Sequence, residues 1–74
     1  MSLKTMGVSI DEDIGQMAGA IWHALNTHGE LPLAQLKKLT EGKAPIFDWA
    51  IGWLAREGKI ILVSKKRSFS VRLK

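Results

Sequence analysis

The stretch Trp53-Leu54-Ala55-Arg56-Glu57-Gly58-Lys59-Ile60 contains the point at which the hydrophobic pattern of the chain changes. Before Gly58, apolar residues recur at intervals of three and four, which is typical of a helix. After it, Ile60 begins a short run of branched apolar residues, which is typical of a strand. Glycine readily adopts the left-handed conformation that ends a helix, so Gly58 marks the boundary. We therefore predict a helix from Pro45 to Glu57 and a strand over residues 59–64.

The chain beyond that strand is predicted to complete a hairpin. Lys65-Lys66-Arg67 interrupts the apolar pattern, and the next six residues alternate, with Phe69, Val71 and Leu73 on one face. Because the turn has no Asn-Gly or Asp-Gly pair, we expect a loop longer than two residues. The first strand of the hairpin is apolar on both faces, so one face needs cover.

Two helices are predicted upstream. Apolar residues from Ile14 to His28 share one stripe, and Ser9-Ile10-Asp11-Glu12 fits a capping box, so the first helix spans residues 10–28. Pro32 suits a first helical position, and three leucines spaced by three residues predict a second helix that ends near Thr40. Glu30-Leu31 is long enough only for a bridging strand, and residues 41–44 form the turn before the third helix.

The length of 74 residues allows one domain, which we place at residues 9–74 after a flexible arm at residues 1–8. A core of this size supplies only about 3–5 kcal/mol. The chain has no cysteine and therefore no disulfide to support that core. We therefore expect a partner subunit, most simply a second copy.

Charge is distributed unequally along the chain. Residues 1–36 have a net charge of −3, and residues 37–74 have a net charge of +7. A basic end favours polyanions, although it can equally be a solubilising surface. The chain shows neither an apolar run of about 20 residues nor a secretory leader, so we expect a cytoplasmic protein without a membrane partner.

The sequence predicts no enzymatic chemistry, cofactor or small-molecule ligand. His23 and His28 are five residues apart on one helix, about 140° around it, so they cannot share a metal ion. The serines near the C-terminus lack a neighbouring histidine and the glycines of a nucleophile elbow. Gly15 and Gly19 lie within a helix and form no phosphate-binding loop.

The order of elements and several short motifs resemble the winged helix-turn-helix superfamily. The similarity lies in Gly29-Glu30-Leu31-Pro32, Leu36, Leu39-Thr40 and the stretch Trp53–Ile60. Gly52-Trp53-Leu54-Ala55-Arg56-Glu57 resembles, more narrowly, a family of short, stand-alone bacterial winged-helix proteins with no assigned function. The resemblance implies an α+β fold: a three-helix bundle with a helix-turn-helix, followed by a C-terminal β-hairpin wing. It also implies a DNA-binding ancestry, with the third helix in the major groove and the wing on the backbone.

Five cations are candidate contacts to a DNA backbone. Such contacts give weak, salt-dependent binding that is independent of base sequence. The candidates are Lys43, Lys65, Lys66, Arg67 and Arg72.

The third helix does not have the side chains of a base reader. Its apolar residues cover an arc of about 200° at 100° per residue, which leaves Asp48, Gly52, Ala55 and Arg56 for the remaining surface. A reading helix presents Arg, Lys, Asn or Gln to base edges. Apolar surface beyond the needs of the core favours contact with another protein instead.

The candidate interface residues are Trp49, Trp22, Gly52 and Ala55, and we expect Trp53 to lie in the core. Aromatic residues are enriched at interface centres, although each indole is equally consistent with a large core residue that has one open edge. The sequence thus predicts a non-enzymatic interaction module that forms a homodimer. The alternative is a DNA-binding transcriptional regulator that contacts the backbone through its basic wing.

Overall fold

The computed structural model describes residues 10–74, which form three helices and a three-stranded antiparallel sheet. The elements in chain order are α1 Ile10–His28, β1 Leu31–Pro32, α2 Leu33–Leu39, α3 Ile46–Arg56, β2 Ile60–Ser64 and β3 Phe69–Leu73. This is the α+β winged-helix architecture that the sequence predicts. The predicted arm at residues 1–8, and Ser9 of the predicted capping box, lie outside the described residues.

The predicted bounds of α1 are confirmed, whereas α3 is one residue shorter at each end than predicted. The prediction that Pro32 opens α2 is wrong by one residue. Pro32 has φ −58° and ψ 143°, which is an extended conformation, and it is still paired with Ser70 in the sheet. Pro45 likewise precedes its helix as the N-cap. At the other end of α3, Gly58 has φ 73°, the left-handed conformation that its position requires.

The strand order is β1-β3-β2, so β3 is the central strand of the sheet. The predicted hairpin of β2 and β3 is present, and β1 adds a two-residue third strand in which Leu31 pairs with Val71. Ser70 was expected on the polar face, yet it is only 6% exposed because strands flank it on both sides. Phe69 is exposed although it shares a face with buried Val71, because it lies next to the loop, beyond the core.

The core lies between the three helices and the sheet, and the closest helix pair is α1 with α3. The buried residues of α3 are Phe47, Ala50, Ile51 and Leu54. At 100° per residue these four side chains occupy an arc of only about 100°. Half of the apolar arc of α3 is therefore not used by the core.

A close contact fixes the turn between α2 and α3. A Cβ atom at Gly42 would lie 2.9 Å from Cβ of Phe47 and would overlap its ring. The hydroxyl of Thr40 donates a hydrogen bond of 2.9 Å to the carbonyl oxygen of Leu36, and the amide of Gly42 donates one of 2.9 Å to that of Lys37. The turn therefore packs directly against the first turn of α3, which sets the angle at which α3 leaves it.

Within residues 10–74, no helix combines the length and the apolar character that crossing a membrane requires.

Candidate functional site

Two tryptophans lie on the side of α3 that faces away from the core. Trp49 and Trp53 are four residues apart, hence on one side of the helix, and they are 47% and 48% exposed. The expectation that Trp53 is a core residue is wrong. Its direction on the helix lies within the apolar arc, but Trp53 borders an open groove beside α1 and is not part of the core. The outward face of α3 is therefore more apolar than the sequence analysis anticipated.

The two indoles form one wall of an open groove between α3 and the beginning of α1. We call it the indole groove; its volume is about 410 Å³, and it is lined by Asp11, Ile14, Gly15, Trp49 and Trp53. The α1 side of the groove is open at Gly15, because glycine has no side chain and a Cβ atom there would meet nothing within 4 Å. Asp11 places a carboxylate at the edge of an otherwise apolar surface. The groove thus suits an apolar group that has a positive charge next to it.

Trp22 lies farther along α1, on the same flank as the indole groove. Trp22 follows Gly15 by seven positions, so their directions differ by only about 20°. The indole of Trp22 is 39% exposed and meets the ring of His23 edge to face, with centroids 5.4 Å apart and planes at 86°. Trp22, one of the candidate interface residues, is therefore accessible to a partner in a single copy.

The two small candidate interface residues, Gly52 and Ala55, differ in exposure. Gly52 is exposed, and open space surrounds the position of its absent Cβ. Ala55 is half-buried and packs against the core. Ala55 therefore belongs mainly to the protein interior, and Gly52 alone faces outward between the flanking residues of α3.

The charged residues of α3 offer little to a nucleic acid. Asp48 and Arg56 are both exposed, so the helix presents one charge of each sign. No side chain of α3 is an amide, the group that reads adenine edges. The outward face of α3 therefore combines two indoles, one glycine and a net charge near zero.

The basic residues of the wing cluster at the loop that joins β2 to β3. The loop is closed by a 2.8 Å hydrogen bond from the amide of Lys65 to the carbonyl oxygen of Ser68, and Lys66 and Arg67 are exposed at its end. We call Lys65–Ser68 the wing tip. Lys65 also forms an ion pair with Glu30, with 3.2 Å between Nζ and Oε2. Sequence reasoning missed this pair because 34 residues separate the two partners.

The remaining two candidate DNA contacts lie away from the wing tip. Lys43 is exposed but lines a shallow cleft whose other residues include Asp13 and Glu41. Arg72 is exposed on β3, where its Cα pairs with that of Ile61, well down the hairpin from the loop. The five predicted cations therefore do not form one continuous basic surface.

The side chains that could bind a metal ion are dispersed in the part of the chain that the structure describes. His23 and His28 are both exposed, and no three His, Asp or Glu side chains among these residues converge on a common point. His28, which was expected on the apolar stripe of α1, is exposed at the last residue of that helix.

These features define a small winged-helix protein whose third helix bears indoles in place of base-reading side chains. Residues 6–73 match the model of the family described as Winged helix-turn-helix domain (DUF2582), and the chain belongs to that family. A similar sequence is Uncharacterized protein MJ1608 of Methanocaldococcus jannaschii, 42% identical over 64 residues, an alignment that covers 82% of this chain and 90% of that protein. A similar structure is the solution NMR structure of protein BT2368 from Bacteroides thetaiotaomicron, with a TM-score of 0.72 and 29% identity over 84% of this chain and 76% of that one.

The relatives come from an archaeon and a bacterium, so the similarity is wider than the bacterial proteins that the hexapeptide suggested. Neither name states a ligand or an activity.

Proposed function

We propose that this protein is a non-enzymatic protein-interaction module that forms a homodimer through the outward face of α3. The observation that carries the proposal is the exposure of Trp49 and Trp53, each close to half, on one side of that helix. In DNA-binding helix-turn-helix proteins the recognition helix, which corresponds to α3 here, lies in the major groove. The side chains here suit a protein surface better than a base edge.

The size of the exposed indole surface supports this proposal. A Trp side chain has up to about 250 Å² of surface, so half exposure leaves on the order of 100 Å² of each indole in water. At about 25 cal/mol per Å², covering both indoles in one copy is worth on the order of 5 kcal/mol. The entropy lost on association offsets part of this free energy. In a two-fold dimer, however, the indoles of both copies are covered, so the favourable contribution is made twice.

The absence of catalytic machinery is part of the proposal. The chain has no cysteine, and its two histidines are exposed on α1. Nucleophilic catalysis requires a base within hydrogen-bond reach of the nucleophile. The serines of the wing lie in β2, β3 and the loop between them, and both histidines lie in α1.

DNA binding through the wing is the second candidate function, and one observation favours it. Lys66 and Arg67 are both exposed at the end of the hairpin, the element that a winged helix places on the phosphate backbone. Contacts of this kind supply affinity but read no sequence. In that case the protein would bind along DNA without selecting a base sequence.

Sedimentation equilibrium of the full chain, with and without a short duplex, tests the proposal. We expect a dimer at micromolar concentration in the absence of DNA, and no change in protein stoichiometry when DNA is added at physiological salt. A monomer throughout the micromolar range contradicts the proposed function. A monomer that dimerises only on the duplex would favour the second candidate instead.

A further inference from the structure

We propose that, in the homodimer, the indole groove of each copy receives the wing tip of the other copy. The inference rests on the proposed function, because it names the surfaces that a second copy joins. It follows from the charges of the two surfaces, from their apolar components and from their positions along α1.

The two surfaces have opposite charges. Asp11 lines the indole groove, and Glu12 next to it is also exposed. The wing tip presents Lys66 and Arg67 to solvent. A cation that enters a groove lined by indoles gains both the carboxylate and the attraction of the aromatic faces.

The strands next to the wing tip add an apolar surface that matches the apolar walls of the groove. Leu62 and Phe69 are 44% and 52% exposed. The pairing of Leu62 with Val71, and of Ser64 with Phe69, places Leu62 and Phe69 on one face of the hairpin, beside the loop. The hairpin end is thus basic and apolar, and the groove is acidic and apolar.

The positions of the two surfaces exclude contact within one copy. The groove uses Asp11, Ile14 and Gly15, which lie in the first two turns of α1. The wing tip is tied to Glu30, two residues past the end of that helix. A helix of 19 residues is about 27 Å long, so the two surfaces lie at opposite ends of α1.

A two-fold axis allows both contacts to form in one closed dimer. If the two α1 helices run antiparallel, the groove end of each copy meets the wing end of the other, and both contacts form at once. The axis then passes near the middle of the span from Asp11 to Glu30, close to Trp22. The exposed indole of Trp22 would there meet its own counterpart, which accounts for its position on the groove flank of α1.

Charge reversal tests the arrangement with two complementary variants. The groove variant carries Asp11→Lys and Glu12→Lys, and the wing variant carries Lys66→Glu and Arg67→Glu. Each variant alone brings like charges together at both contacts, whereas a one-to-one mixture restores opposite charges at both. We expect each variant alone to dimerise at least about tenfold more weakly than the unmodified chain, and the mixture to form a heterodimer of near-original affinity.

A matched control separates this effect from net charge. Lys59→Glu with Lys74→Glu gives the same net charge as the wing variant, but these residues lie at the open end of the hairpin, where the amide of Lys74 donates to the carbonyl oxygen of Lys59. Five strand residues, about 17 Å, separate that end from the wing tip. We expect the control to dimerise like the unmodified chain in sedimentation velocity.

The possible outcomes distinguish this inference from the proposed function. A dimer that neither variant weakens, or a mixture that does not restore dimerisation, overturns the inference and leaves the homodimer in place. Equal weakening by the wing variant and the control also overturns it. A monomeric unmodified chain overturns the proposed function itself. Circular dichroism establishes that each variant is folded; if the groove variant is not, Asp11→Asn with Glu12→Gln replaces it, and a tenfold weakening is again required.

Discussion

The ammonium nitrogen of Lys65 lies 3.2 Å from Oε2 of Glu30, so an ion pair joins the loop of the wing to the segment between α1 and β1. Both side chains are partly exposed, and pairs of this kind add little to stability. The consequence for binding is larger. One of the three cations at the wing tip already has a carboxylate beside it, so fewer charges are free to meet a phosphate backbone.

If the protein binds duplex DNA at all, we expect non-specific binding with a dissociation constant on the order of 10⁻⁴–10⁻⁶ M at physiological salt. Three free cations at the wing tip would give a slope near −3 in a plot of the logarithm of the binding constant against the logarithm of the salt concentration. Because Lys65 is paired with Glu30, two free cations remain, and the expected slope is about −2. Glu30→Gln releases Lys65 and should steepen the slope towards −3. Fluorescence anisotropy of a labelled duplex between 50 and 200 mM salt measures both slopes.

The same titration can contradict this interpretation of α3. Nanomolar, sequence-selective binding at physiological salt would show that α3 reads bases despite its indoles. A strong loss of selectivity in Arg56→Ala alone would lead to the same conclusion, because Arg56 is the one cation within α3.

Leu54→Ala should destabilise the fold severely. Leu54 is 4% exposed and lies in the middle of the buried arc of α3. Truncation of a buried leucine costs about 2–5 kcal/mol, which rivals the roughly 3–5 kcal/mol expected for a core of this size. Urea denaturation should find the variant largely unfolded at 37 °C. Leu39→Ala, at an exposed leucine of α2, is the control and should change stability by no more than about 0.5 kcal/mol.

Two glycine substitutions should have effects of opposite sign. Gly42→Ala places a methyl group against Phe47 and should destabilise the fold by about 1–3 kcal/mol, the range for overpacking. Gly52→Ala places it in open space inside α3 and should stabilise the helix by up to about 1 kcal/mol. Thermal melts of the two variants provide the comparison, and a Gly42→Ala variant as stable as the unmodified chain would show that the turn is not tightly packed.

The helices and strands were predictable because each has a strong local signal. The stripe of α1 and its terminal Gly29 define that helix within the sequence itself, and Gly58 defines the change from helix to strand. The burial of Leu54 follows from its direction near the centre of the apolar arc. These properties depend on periodicity and turn chemistry, which neighbouring residues determine.

The exposure of Trp53 was not predictable in the same way. A helical wheel gives the direction of a side chain but not whether another element lies there. Ser70 shows the converse, since a two-residue partner strand with little sequence signal buries it. The ion pair of Lys65 with Glu30 likewise depends on how the wing folds back over the end of α1. Long-range packing decides all three outcomes.

Trp49→Ala and Trp53→Ala should each weaken dimerisation while leaving the fold intact. Both indoles are about half exposed in one copy, so truncation removes little of the core contact. If they anchor the interface, each change should cost at least about 2 kcal/mol of association, or roughly 30-fold in the dissociation constant. Sedimentation equilibrium measures that constant, and circular dichroism at low temperature should show normal helical content.

Leu39→Ala is the control for these two variants as well. Leu39 is exposed to the same extent as Trp49, but it lies on α2, away from the residues that line the indole groove. Its truncation should leave the dissociation constant unchanged. A loss of helical content before dissociation in Trp53→Ala would mean that the indole supports the fold. In that case the outward face of α3 would have no spare apolar surface to offer a partner.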